Sequence, residues 1–191
     1  MNNKKNQHRI IIILAIFFIA IILGIIAYFV INYTNDQNEM KARMDEVEEG
    51  YNTFKEHIDS FNAARDNVYK EAMQDMYYDT LKENDLHYKE LLTTYEGTLE
   101  WLDQDYENLK GKCTDVLYPN VSINNKCEAF VIGYEEAMNT FVSDVERYNK
   151  NIEAYNEWLK EEGKTDTELV TYETKRTYVD IVGDREYRGK K

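Results

Sequence analysis

A run of 22 uncharged residues, IIIILAIFFIAIILGIIAYFVI from Ile10 to Ile31, constrains this chain more than any other feature. Few other places suit a segment this long and this apolar. As a helix rising ~1.5 Å per residue it extends roughly 33 Å, the thickness of a bilayer's hydrocarbon core. All but Ala15, Ala20, Gly24, Ala27 and Tyr28 are Ile, Leu, Phe or Val. Each of those contributes about −0.3 to −0.6 kcal/mol on insertion. Tyr28 and Tyr33 stand at one end, where amphipathic rings suit a membrane interface. A cleaved signal peptide would have a shorter apolar region of about 7–15 residues and small residues at its cleavage site. Here the run leads into YFVINYTND instead.

The expectation is therefore a transmembrane signal-anchor helix over residues 10–33, with the lipid bilayer as its partner. Lys4, Lys5 and Arg9 precede it, and acids dilute the basic residues that follow. That asymmetry predicts a basic cytoplasmic tail over residues 1–9 and an extracytoplasmic body. Ala20 and Gly24 form one small-xxx-small pair, the candidate membrane packing contact with another helix.

Behind the apolar run the chain is acidic. Residues 34–163 hold 13 basic and 30 acidic side chains, a net charge of −17. Phosphate backbones are repelled by such a surface, so no nucleic acid is expected as a partner. One proline in 191 residues leaves little turn chemistry and favours long helices.

Three apolar stripes with alternating spacings of four and three support that reading. The first runs Met40, Met44, Val47, Tyr51, Phe54, Ile58, Phe61, and more weakly Val68 and Ala72. The second runs Tyr88, Leu92, Tyr95, Leu99, Leu102, Tyr106, Leu109, Cys113. The third runs Cys127, Val131, Tyr134, Met138, Phe141, Val145, Tyr148, Ile152, Tyr155, Leu159. Each is the seam of a helix packed on other helices. The second stripe is out of phase with the first. A turn around Leu81–Leu86, with Asn84 or Asp85 as helix cap, explains this; the rival is one long rod with a phase defect. Gly163 suits a helix C-terminus. The predicted fold class is all-α: a transmembrane helix, then an antiparallel three-helix coiled-coil-like bundle over residues 34–163. Its helices are expected at roughly 40–81, 86–113 and 127–162.

Cys113 closes the second stripe and Cys127 opens the third, with the only proline, Pro119, between them. Both cysteines fall at core-facing positions where two helices must meet. In an oxidising space they are expected to form a disulfide, and otherwise two small buried thiols. The loop between them is apolar: Val116, Leu117, Tyr118, Val121, Ile123. These residues either plug the end of the bundle or form a partner-contact loop.

After Gly163 the pattern becomes ELVTYETKRTYVDIV, rich in Thr, Val and Tyr with partial alternation. Residues 164–191 are expected as an extended or partly disordered tail. It either lies back along the acidic bundle, forms a short hairpin or binds an anionic polymer. Asp180, Asp184 and Glu186 lack the regular spacing of a calcium loop.

Catalytic residues are expected to be none. His57 and His87 lack metal-site spacing and read as surface or boundary residues; no nucleophile elbow or phosphate-cradling glycine loop occurs. Cofactors and metals are likewise expected to be none, and no small-molecule substrate is evident.

The start MNNKKNQHRIIIILAIFFIA and the heavy use of Ile, Asn, Lys and Tyr resemble single-pass, membrane-anchored extracytoplasmic helical proteins of Gram-positive bacteria. The resemblance implies a non-enzymatic, membrane-tethered envelope protein with a structural or protein-interaction role, through an envelope partner or a homo-oligomer. The alternative is a ligand-binding or sensor ectodomain acting through a membrane partner.

Overall fold

A computed structural model describes residues 2–72, 78–114, 116–165 and 167–181, with side chains from residue 17 onward. Among the described residues it is all-helical: α1 (Asn2–Ala72), α2 (Tyr78–Cys113) and α3 (Val121–Glu161). The chain divides into two compact units, Met1–Asp45 and Glu46–Lys191.

The first unit consists of the N-terminal part of α1. It contains an 18-residue window of mean hydropathy 2.2, none of it buried. Phe17, Phe18, Leu23 and Phe29 each expose 60% or more of their surface. This is one helix long and apolar enough to cross a membrane.

The second unit is a helical bundle built from the rest of α1 with α2 and α3. Its packing follows the stripes. Every seventh residue of α1 from Val47 through Phe54 and Phe61 to Val68 is buried, as is Ala72. All ten positions of the third stripe are buried, and of the second only Tyr106 is half-exposed. Phe54 packs edge-on against Phe130, and Tyr95 lies between Phe61 and Phe141. Contacts between α1 and α2 run Glu46–Lys112, Phe61–Tyr95 and Glu71–His87. Those between α2 and α3 run Asp85–Tyr148, Tyr95–Asp144, Asp103–Tyr134 and Cys113–Cys127. In both series one set of numbers rises as the other falls, so the single rod is ruled out. Gly50 allows this approach: a Cβ there would stand 2.6 Å from Leu109 Cδ2.

Two expected boundaries are corrected. The segment 81–86 is helical rather than a turn, because α2 already begins at Tyr78. Asn84 Nδ2 donates to the Thr80 carbonyl within the helix, and Leu81 is 1% exposed. The second stripe in fact continues back through Asp85 to Leu81. Asp85 looks disqualifying at a seam position until its partner is seen, the Tyr148 hydroxyl at 2.8 Å. Residues 73–77 lie outside the described residues.

α3 starts six residues earlier than Cys127, at Val121. Asn120 is its N-cap, accepting from the Ser122 N–H at 2.9 Å. It ends as expected at glycine. Gly163 adopts φ +62°, its N–H donates to the Lys160 carbonyl, and the Lys164 N–H donates to that of Leu159. These two bonds and the left-handed glycine make a Schellman C-cap.

Candidate functional site

The bundle is rich in tyrosine, and buried hydroxyls need partners. Three tyrosine–aspartate bonds between α2 and α3 supply them. Tyr95 Oη donates to Asp144 at 3.2 Å, Tyr148 Oη to Asp85 at 2.8 Å, and Tyr134 Oη to Asp103 at 2.8 Å. Burial, reinforced by the neighbouring carboxylate, holds all three phenols well above their usual range. Asp144 is only 3% exposed, and it also accepts from Arg65 Nε at 2.9 Å. That hydrogen bond raises the Arg65 pKa further. Asp105, 7% exposed, stands 2.7 Å from Nδ1 of His57, whose ring lies against Trp101. His57 is thus a boundary residue with a buried carboxylate behind it. Neither Asp105 nor Asp144 stands out in the sequence, because a lone acid beside a seam has no signature without its partner.

Beside Arg65 and Asp144 opens a cleft of about 450 Å³, lined also by Tyr69, Glu135, Asn139 and Ser143. Among the described residues, no three His, Cys, Asp or Glu side chains converge as a metal site requires.

The sulfurs of Cys113 and Cys127 stand at disulfide distance, with Cα atoms 4.9 Å apart. Of the five residues expected in the loop between them, Val121 and Ile123 belong instead to the first turn of α3, which starts at Val121, and the five divide by exposure. Tyr118 and Ile123 are each 3% exposed, and Val116 is half-buried. Leu117 and Val121 are 83% and 70% exposed. Asn124 pins the loop: its Oδ1 accepts from the Tyr118 N–H and its Nδ2 donates to the Tyr118 carbonyl. In the first unit, Ala20 and Gly24 are both exposed, and nothing lies within 4 Å of a Cβ built on Gly24.

The same two-point bond recurs along the outer face of α3. Asn156 pairs with both the N–H and the carbonyl of Leu169, Asn149 with both of Tyr172, and Asn139 with both of Val179. Each carboxamide completes one residue's backbone as a neighbouring strand would. Residues 167–181 form neither helix nor hairpin; they are a strap drawn across the bundle. Asn139 and Asn156 are 17 residues apart on the helix, ~26 Å, and strap residues 169 and 179 cover that distance in ten steps. At ~2.6 Å per step the strap is largely extended.

Alternate strap residues then face α2. Tyr172 Oη donates to Glu96 at 2.7 Å, Thr174 Oγ1 donates to the other oxygen of Glu96, and Arg176 pairs with Asp103. Glu96 and Asp103 are seven residues apart, two turns along one face. Burial pushes the Tyr172 phenol up to about 12. The Ile181 N–H donates to Glu135 at the edge of the cleft. The basic end GDREYRGKK and the acids Asp184 and Glu186 lie outside the described residues.

Comparison with protein-family models, curated proteins and solved structures returned no match.

Proposed function

We propose that this is a non-enzymatic, membrane-tethered envelope protein whose acidic helical bundle serves a structural or protein-interaction role. On this reading α1 inserts as a signal anchor with its N-terminus cytoplasmic, and an antiparallel, coiled-coil-like bundle is held outside. The observation that carries it is the contrast within α1. Its apolar window is wholly exposed, whereas its seam from Val47 to Ala72 is buried. Exposed isoleucine and phenylalanine on this scale call for lipid as their solvent. The cysteine pair at disulfide distance accords with an oxidising location.

The core supports interaction over catalysis. Its largest side chains, Tyr95, Tyr148, Tyr155, Phe130 and Phe141, are wholly buried. Contact with partners then falls to surface features such as Leu117 and Val121. The second reading, a ligand-binding ectodomain, is favoured by the cleft beside Arg65 and Asp144.

Crosslinking in intact membranes followed by mass spectrometry tests the interaction reading. Reproducible crosslinks from lysines of the bundle to another envelope protein, or between copies, are expected. Absence of both overturns it. Topology is checked with a membrane-impermeant thiol reagent before and after reduction. Cysteines labelled in intact cells only after reduction fit the external body; free thiols reached only after lysis contradict it.

A further inference from the structure

The strap is bound like a ligand. Three asparagines of α3 read its backbone, while Glu96 and Asp103 of α2 read alternate side chains, Tyr172, Thr174 and Arg176. This divides the labour as β-augmentation does, with main-chain bonds for affinity and alternate positions for specificity. No strap side chain is fully buried, and none belongs to the bundle core. Removing the strap therefore uncovers polar groups that water can satisfy and leaves the packed seam intact. Its attachment to α3 is a glycine in the left-handed region, and Lys164, Thr165, Thr167 and Glu168 beyond it are exposed.

We propose that this groove between α2 and α3 is an intermolecular binding site, and that the strap of a second copy of this chain, residues 167–181, is its partner. The groove and its complement are carried by the same polypeptide, so every copy is both donor and acceptor. The six residues 163–168, which precede the first asparagine-paired strap residue Leu169, reach roughly 20 Å when extended, enough to pass a strap to an adjacent bundle. Copies anchored in one membrane meet at high local concentration, which lowers the cost of exchanging one intramolecular strap for an identical one. The inference rests on the interaction reading and narrows it to a self-association through exchanged tails.

Complementation between two full-length variants in detergent tests it. In the donor, Asn149→Ala and Asn156→Ala break the groove and leave the strap intact. In the acceptor, Tyr172→Ala and Arg176→Glu break the strap and leave the groove intact. The two carry different tags, and circular dichroism checks that both keep their helices. A fluorescent peptide of residues 167–181 reports the acceptor's groove directly. Exchange predicts that donor and acceptor associate at least tenfold more tightly than either does with itself, and that the peptide competes. If the acceptor binds the peptide but never the donor, the groove serves another protein's segment and the second-copy proposal is overturned. If it binds neither while remaining helical, the strap is a fixed part of the fold and the proposal is overturned. Both failures are read in detergent, so they leave the crosslinking outcome in membranes standing on its own.

Discussion

The two faces of α3 are held by different physics. Its inner face buries Phe130, Phe141, Tyr148 and Ile152 against α1 and α2. Its outer face offers Asn139, Asn149 and Asn156 to the strap, at the surface. The inner contacts are non-directional and scale with buried area. The outer ones are directional and exchange readily with water, so each is worth little net. One helix thus carries an apolar interface and a hydrogen-bonded one.

The largest effect should come from the inner face. Phe141→Ala is expected to destabilise the bundle by about 3–5 kcal/mol, since Phe141 is fully buried against Tyr95. Denaturant titration by circular dichroism measures it; a loss under about 1 kcal/mol means that the seam is not the main source of stability.

Reducing the Cys113–Cys127 pair comes next. A closed loop of about 15 residues is worth roughly 3 kcal/mol on a chain-entropy account. The same titration with and without reductant checks it, and an unchanged midpoint argues that the bond does not form in solution.

Arg65→Ala should cost about 1–2 kcal/mol. It leaves buried Asp144 with the Tyr95 hydroxyl and without its guanidinium, though the half-exposed site admits some water. Rescue by Arg65→Lys would show that charge suffices; failure of rescue would show that the planar Nε–H geometry matters.

The outer face should respond weakly and locally. Asn149→Ala removes two bonds to Tyr172 and is expected to cost about 1 kcal/mol of strap closure, with global unfolding unchanged. Hydrogen exchange should show faster loss at the Tyr172 amide and no change in the core of α3. A change in global stability would join the two faces into one cooperative unit.

The smallest effect at neutral pH is the Tyr172 phenol, visible only in alkali. Its folded pKa is raised to about 12 from an ordinary 10 by burial beside Glu96. A raised pKa means that the neutral form is favoured by the fold. Its contribution is therefore complete below pH 10 and lost as pH rises from 10 to 12. Strap amides should exchange faster in that window relative to a Tyr172→Phe variant, which lacks the titration. Identical pH profiles would remove Tyr172 as the cause.

The stripes made the helices and most of the core legible, because a seam buried on other helices must repeat at the spacing of the helix itself. The same spacing led to a misplaced turn at 81–86. Asp85, expected as a helix cap, lies instead at a seam position inside α2, where the Tyr148 hydroxyl, 63 residues away, satisfies it. The asparagines were illegible for a related reason. Asn139, Asn149 and Asn156 on a helix surface look like solvated positions, and their meaning lies in Val179, Tyr172 and Leu169, which belong to a tail whose partial alternation does not say where it docks.

By itself, the sequence determined that one segment is too apolar for water, that three others each present a single apolar side, and that two cysteines sit where two of those segments meet. These are properties of local order, fixed by side-chain type and helical repeat. Only the tertiary structure decided which acids lie against tyrosine hydroxyls, that Tyr118 and Ile123 turn inward while Leu117 and Val121 stay out, and that the tail lies across α3 rather than folding on itself. Hydrogen bonds between distant residues depend on distance and angle in space, and a linear pattern does not encode them until the helices have packed.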